Sequence, residues 1–245
     1  IATVSAPFHG QSVLPAAPAT LDDDRLSGTF HAVADGMAAS MAVVLVGDVL
    51  VLLDLTQASV TRVAQKSLDP TRPLARIVCD GASVEVLLPT GGAALARTVT
   101  DGAAVLTAFE QVGGAEAALY AARDYAMERT AFGRPIGGFQ AVKHKLADMF
   151  VAVELARSHA YYGAWALASD ASELTRAAAA ARVAASDAYV MVSEESLHLH
   201  GGIGYTWDMD CHLHLRRARS LAQVLGSTAV WRERLAATLI TEQAA

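Results

Sequence analysis

Cysteine, basic charge and long apolar runs are all scarce in this 245-residue sequence. Cys79 and Cys211 are the only cysteines and have no motif spacing, which excludes a disulfide framework and suits a reducing cytoplasm. The 19 basic residues are outnumbered by 25 acidic ones, and a net charge of −6 argues against a nucleic-acid or anionic-membrane partner. No apolar run reaches the roughly 20 residues that cross a bilayer. We therefore expect a cytoplasmic protein without a membrane span.

Apolar residues are abundant instead, at 53% of the chain, which is ample for a packed core. Residues from about 26 to 90 contain short apolar runs bounded by Gly and Asp, the pattern of β-strands. Gly47 and Asp48 separate two of these runs and predict a two-residue hairpin. Residues 1–99 are predicted to form a small, mostly antiparallel β-domain of about six strands. The chain starts at Ile1 rather than Met, which leaves open whether another segment precedes it.

After Thr100 the apolar spacing changes to that of helices. Asp101 is predicted to cap the first helix, because its carboxylate can accept the N–H groups of a first turn. The clearest helix has a seam whose members step four and three residues alternately: Leu174, Ala178, Ala181, Ala185, Ala188 and Val192. Small seam residues let nearly parallel helices approach closely. Residues 100–245 are therefore predicted to form an all-α, up-and-down bundle, which makes the chain an α+β multidomain protein.

The first candidate site joins two predicted helices between residues 125 and 140. Gly133 and Pro135 interrupt the helical pattern, and Gln140 begins the next helix. Arg129 at a helix end, beside a glycine-rich turn, can form a diphosphate clamp, because a guanidinium bonds two phosphate oxygens and backbone N–H groups add donors. Taken alone, an ordinary helical hairpin with a surface arginine is the better interpretation, because short motif matches are common.

The second candidate site is the segment LHLHGGIGY at residues 197–205. Adjacent glycines let a ligand approach the backbone closely and permit positive φ. Taken alone, however, Gly201 is better interpreted as an ordinary glycine that ends a helix.

Two H-x-H pairs raise the question of a metal site: His198 with His200, and His212 with His214. Residues two apart on a helix point in divergent directions, so neither pair chelates unless it is locally extended. No cysteine or carboxylate completes a tetrahedral set at a familiar spacing. We expect no metal.

The motifs in series run ERxxFGxPIxxFQ, HKLADM, HGGxGY and then Arg-Arg-Ala at 216–218. This order resembles the acyl-CoA dehydrogenase family from residue 101 to about 230, and the β-like half resembles that family's central β-domain. The resemblance implies an oligomer in which FAD lies between subunits, with the helical domain holding its ADP end. It also implies three pairs of cofactor-binding positions: Arg129 and Ala131 at the pyrophosphate, Phe132 and Gln140 on the adenosine side, and Gly201 and Gly202 at the backbone approach. The family usually has Gln where this chain has His198, which can still donate one hydrogen bond.

The resemblance fails where the family's chemistry takes place. The family reaction needs a carboxylate that removes an α-proton while a hydride passes to the flavin, and the matching position here is Leu225. The alternative position in the family matches Ala103. Glu110 shares the helix face of Ala103 but lies about 10 Å further along, which makes it a weak candidate base. Ala32 and Ala34 stand where the family has a flavin-facing Trp and a Thr or Ser.

One arrangement explains this uneven loss. We expect a subunit of a FAD-dependent acyl-CoA dehydrogenase that supplies the ADP-end groove, while a second dehydrogenase-like subunit supplies the catalytic Glu. Some actinobacterial steroid-type enzymes resemble this pairing, which implies a heterotetramer, a steroid side-chain acyl-CoA substrate, and electron-transfer flavoprotein or a similar acceptor. Two alternatives remain open: a self-sufficient homo-oligomer with its base relocated to Glu110 or another residue, and a non-catalytic scaffold subunit.

Overall fold

The structure is a computed structural model that describes residues 2–5 and 19–243, with side chains described for residues 19–240. The chain divides into two compact units, Ile1–Val99 and Thr100–Ala245. Strands fill the described part of the first unit, and helices dominate the second. This composition confirms the predicted α+β class.

The described β-unit is one mostly antiparallel sheet. Its strands are β1 (Ala2–Ser5), β2 (Thr20–Asp22), β3 (Arg25–Ala34), β4 (Met41–Val46), β5 (Val49–Asp54), β6 (Val60–Gln65) and β7 (Leu74–Leu88). They lie in the order β1-β4-β5-β7-β3-β2, and β6 also pairs with β7. Only the pairing of β1 with β4 is parallel among these described strands. The long β7 therefore links the sheet, and side chains such as Leu26, Leu53 and Ile77 form its buried core.

The second unit is a bundle around one central helix. The helices are α1 (Gly92–Glu128), α2 (Gln140–Ala168), α3 (Leu174–Leu199), α4 (Cys211–Leu221) and α5 (Thr228–Gln243). The predicted alanine seam is buried on α3, which packs against α2, α4 and α5. This arrangement confirms the predicted bundle. None of the described helices combines the length and the apolar character needed to span a bilayer.

The predicted hairpin at Gly47 and Asp48 is present between β4 and β5, with Gly47 at a left-handed φ of 61°. Asp48 also determines where α1 begins. Its carboxylate accepts hydrogen bonds from the N–H groups of Gly91 at 2.7 Å and Ala93 at 3.0 Å. These backbone hydrogen bonds lower the pKa of Asp48. Because they satisfy N–H groups that a helix start leaves without partners, α1 begins at residue 92 rather than near residue 100.

The prediction that Asp101 caps this helix is wrong. Asp101 lies inside α1 and is buried. One carboxylate oxygen binds Arg234 of α5 at 2.6 Å, and the other accepts the hydroxyl of Thr175 on α3 at 2.9 Å. An acidic residue before an apolar helical pattern has the same sequence signature in either role, and here the carboxylate ties three helices together.

Candidate functional site

The segment after α1 folds as a small β-hairpin. Strand β8 (Thr130–Ala131) pairs with β9 (Arg134–Pro135), and Phe132 and Gly133 form the turn with φ of 52° and 79°. Positive φ at both central residues is typical of a type I′ hairpin, which is rare and strained for a bulky residue such as Phe. The turn leaves the Phe132 side chain 95% exposed. Backbone strain of this kind is frequent at functional sites, and an exposed aromatic ring does not stabilise the core. Both features indicate that Phe132 has a functional role rather than a structural one.

An open pocket of about 270 Å³ lies beside this hairpin. It is lined by Ala131, Phe132, Ile136, Phe139, Val142, His198 and Leu199. The structure thus brings three of the expected cofactor residues to one pocket: Ala131, Phe132 and His198. The remaining lining residues were not predicted, although Ile136 and Phe139 belong to the same motif. The Phe139 ring meets the Phe132 ring edge-on at 6.2 Å, and the Arg134 guanidinium lies over its face at 4.1 Å.

Arg129 and Gln140 flank the pocket in sequence without lining it. The backbone of Arg129 is fixed, because its N–H donates to Tyr125 O and its carbonyl accepts from Ile136 N–H, both at 2.8 Å. Its side chain is exposed, and no described residue forms an ion pair or hydrogen bond with the guanidinium. Gln140 is the first residue of α2, as predicted, and is also exposed. The guanidinium of Arg129 is therefore available to an anion.

The three glycines after α3 differ in what requires them. Gly201 ends the helix in the left-handed region, at φ 65°, which glycine adopts most easily. Gly204 is required by packing, because a Cβ there would lie 2.6 Å from Leu197 O. A Cβ at Gly202 would meet no atom within 4 Å, so neither packing nor a positive φ accounts for this glycine.

The two histidines at this helix end serve different environments. The His200 ring is buried, with Nδ1 2.7 Å from Ser196 O, and it stacks on Tyr125 at 4.4 Å. The His198 ring is exposed, and its Nδ1 lies 3.8 Å from a carboxylate oxygen of Glu195. Within the described residues, no group of three or more His, Cys, Asp or Glu side chains is placed to hold a metal ion. The stack of Tyr125 on His200 joins the ends of α1 and α3 and has no local sequence signal.

Leu225, one of the two positions that match the family's base, packs against an apolar cluster. Leu225 follows α4 at a left-handed φ of 61°, beyond the end of the helix at Leu221. Its side chain packs against a buried cluster that consists of Ala104, Val105, Ala178, Ala179 and Trp231. The indole N–H of the fully buried Trp231 donates to Leu225 O at 3.1 Å. Ala103 precedes Ala104 on α1 and is itself half-buried.

A buried arginine on α3 holds the turn that carries Leu225. The Arg182 guanidinium donates to Leu221 O, to Val224 O at 2.7 Å and to Gln111 Oε1 at 2.6 Å. None of its partners among the described residues is a carboxylate, and burial lowers the pKa of Arg182 to about 10. The carbonyl of Leu221, at the negative end of α4, and that of Val224 in the following turn accept from it instead. These hydrogen bonds stabilise the turn, although Leu225 in it cannot act as a catalytic base.

Glu110, the weak candidate base, lies elsewhere on α1. Its carboxylate is 3.0 Å from the Arg217 guanidinium of α4, and its side chain is 42% exposed. The geometry is that of an ion pair linking two helices.

The two β3 positions that the resemblance matches to flavin-facing residues lie at or just after a break in strand register. Ala32 and Ala34 lie near the end of β3, where the register with β7 shifts between Phe30 and Val33. Ala32 has a φ of 53°, and its N–H donates to Gln65 Oε1 at 2.8 Å. Bulges of this kind are frequent beside active sites, but here neither position carries an aromatic or hydroxyl side chain.

Comparison with known proteins gives consistent matches. Residues 90–240 match the family described as acyl-CoA dehydrogenase, C-terminal domain. Acyl-CoA dehydrogenase IpdE2 of Mycobacterium tuberculosis is 42% identical over 163 residues, which cover 66% of this chain and 46% of that protein. A second IpdE2, from Mycolicibacterium smegmatis, is covered to 55%, so the chain spans about half the length of these relatives.

Solved structures resemble the chain over nearly its whole length. A variant of the Tcur3481-Tcur3483 steroid ACAD has a TM-score of 0.87 and 28% identity, covering 100% of this chain and 68% of that one. The ChsE4-ChsE5 complex from Mycobacterium tuberculosis has a TM-score of 0.86 and 26% identity, covering 98% of this chain and 66% of that one.

Proposed function

We propose a function for this chain from its membership of the acyl-CoA dehydrogenase family, which its motifs predict. In this proposal the chain is one subunit of a FAD-dependent enzyme that oxidises an acyl-CoA thioester between its α and β carbons. In this proposal its bundle supplies the groove for the ADP end of FAD, and a second, related subunit supplies the catalytic Glu. The observation that carries the proposal is a contrast. The pocket beside Arg129 is open, whereas the region around Leu225 is filled by apolar side chains.

The residues around the pocket fit the ADP end of FAD. Arg129 offers a guanidinium that can bond two phosphate oxygens. Gly201 and Gly202 leave backbone open to a ligand. The rings of Phe132 and Phe139 offer apolar surface to a planar base. A volume of about 270 Å³ is at the small end of ligand pockets and suits one end of the cofactor. When bound, FAD accepts the hydride of the reaction.

The proton of the reaction requires a partner. Leu225 and Ala103 have no group that accepts a proton, and the Glu110 carboxylate is held by Arg217. A carboxylate must lie within hydrogen-bond reach of the proton that it removes. We therefore assign the base to the second subunit.

The outer face of α2 supports a protein partner. Val151, Leu155 and Trp165 lie on the side of the helix away from its buried residues, and each side chain is more than half exposed. A helix that is apolar on opposite faces is normally covered on both, and large exposed apolar side chains in a row mark interaction surfaces. The similar ChsE4-ChsE5 structure is a complex of two named proteins, which favours a hetero-oligomer, and we propose a heterotetramer.

The substrate class that we propose is the CoA thioester of a steroid side chain, because a similar structure is that of a steroid ACAD. The acceptor of the electrons is then electron-transfer flavoprotein or a similar protein, as the family resemblance implies. Cys79 and Cys211 are both free and buried, which suits a reducing cytoplasm.

Replacing Arg129 tests the groove. Because no hydrogen bond or ion pair joins the Arg129 side chain to a described residue, Arg129→Ala should leave the Tm of the flavin-free assembly unchanged. FAD binding should weaken by about 10- to 100-fold, because one charge-assisted contact is lost. Both quantities are measured on the assembly, by thermal unfolding and by flavin titration.

Arg123→Ala is the matched control, since Arg123 is an exposed arginine near the end of α1 that pairs with Asp124. It should retain FAD. If the Arg129→Ala assembly retains FAD as tightly as the unaltered one, the groove assignment is wrong and the scaffold alternative is favoured.

A further inference from the structure

His198 at the pocket wall lies close to an ion pair between Glu195 and Lys145. Glu195 lies one turn earlier on α3, and its Oε2 is 3.8 Å from Nδ1 of His198. The same oxygen binds the ammonium of Lys145 on α2. The ring of Tyr205 lies beyond, 6.5 Å from the imidazole and tilted by 51°. The imidazole therefore has its Nδ1 edge toward a carboxylate while the residue itself lines the pocket.

This placement selects one form of the ring. A neutral imidazole has one donor nitrogen and one acceptor nitrogen, and a carboxylate can only accept. Glu195 therefore favours the tautomer with the proton on Nδ1. A shift of less than about 1 Å would bring the 3.8 Å separation to a hydrogen bond. Nε2, at the other edge of the ring, is then a lone-pair acceptor.

We propose that Glu195 is a positioning residue that fixes His198 so that its Nε2 accepts a hydrogen bond from a hydroxyl or amino group of the bound nucleotide. The inference rests on the proposed function and deepens it. A ribose hydroxyl or an adenine amino group can donate to Nε2, whereas a phosphate oxygen cannot. The Gln that the family usually has at this position can both donate and accept a hydrogen bond. A neutral His198 with its Nδ1 proton directed to Glu195 can only accept a hydrogen bond from the ligand.

The first test reads the ring and needs no ligand. The ¹⁵N spectrum of the histidine side chains is recorded on the full chain at mildly alkaline pH, and His198 is assigned by its loss in His198→Gln. The Nδ1–H tautomer should dominate. Glu195→Ala should shift the ring toward the Nε2–H form, while Glu194→Ala, the matched control at a residue paired with Arg219, should not. A ring already in the Nε2–H form overturns the proposal.

The second test measures ADP binding to the assembled protein by calorimetry. Glu195→Ala and His198→Ala should each weaken ADP about three- to tenfold, the effect of one hydrogen bond. His198→Gln, which keeps an acceptor, should lose less than His198→Ala. Because Glu195 acts through His198, adding Glu195→Ala to His198→Ala should cause no further loss.

Two results would contradict this account in different ways. A full additional loss in the double variant means that Glu195 acts through another group, and it overturns the positioning role alone. Absence of ADP binding in the unaltered assembly overturns the proposed function. It also removes the nucleotide as the ligand of His198.

Discussion

The two ends of helix α3 border regions of opposite character. At its C-terminal end, His198 and Leu199 line an open pocket together with Ala131 and Phe132 of the hairpin. Near its start, Ala178 and Ala179 pack with Trp231 in a buried apolar cluster against which Leu225 lies. In the proposed function, this difference corresponds to a division of labour, in which this chain binds the cofactor and a second polypeptide removes the proton.

Removing Trp231 should have the largest effect, because it breaks the filled region. The indole is completely buried and donates to Leu225 O. Trp231→Ala should lower the free energy of unfolding by about 3–5 kcal/mol, as large-to-small core substitutions do. Trp207→Ala, at an indole that is 75% exposed, is the control and should cost less than about 1 kcal/mol. Both are measured by denaturant unfolding, and a cost for Trp231→Ala as small as that of the control would mean that the region is not a packed core.

Restoring a carboxylate at Leu225 asks whether the filled region is a dormant active site. The side chain packs against the apolar cluster, so Leu225→Glu should destabilise the chain by about 1–3 kcal/mol through loss of hydration. It should give the isolated chain no acyl-CoA oxidation. Leu225→Gln separates the polar effect from the charge. A Leu225→Glu chain that turns over acyl-CoA without a partner would show that only the base is missing.

Changing Glu110 should have the smallest effect. Its pair with Arg217 is partly solvent-screened, so Glu110→Gln should change stability by at most about 0.5 kcal/mol and leave turnover of the assembly intact. Arg217→Gln breaks the same pair and should behave alike. Nearly complete loss of turnover with FAD retained in Glu110→Gln would support the self-sufficient alternative instead.

Local patterns account for most of the fold. The alternating seam on α3 predicts its buried face, and Gly47-Asp48 predicts a hairpin, because both signals lie within a few residues of the structure that they specify. The start of α1 could not be predicted in this way. Its cap, Asp48, comes from a hairpin more than 40 residues earlier, so Asp101 was the best local candidate.

The candidate site, like the fold, has some features that the local sequence predicts and others that it does not. Ala131, Phe132 and His198 were selected through a motif series, and they meet at one pocket. The hairpin that exposes Phe132 was not predicted, because a bulky residue at positive φ contradicts local propensity. The sequence also does not predict that Glu195 lies close to His198, because two residues three apart on a helix can adopt many side-chain orientations.

The most direct test of a site shared between two subunits compares two preparations. The chain alone and the chain co-expressed with a Glu-carrying dehydrogenase-like partner are each assayed for flavin content and acyl-CoA oxidation. We predict that the isolated chain retains no FAD and oxidises no acyl-CoA, and that the co-purified complex is flavin-loaded and active. A stable homo-oligomer of this chain that holds FAD and oxidises an acyl-CoA by itself would contradict the shared site.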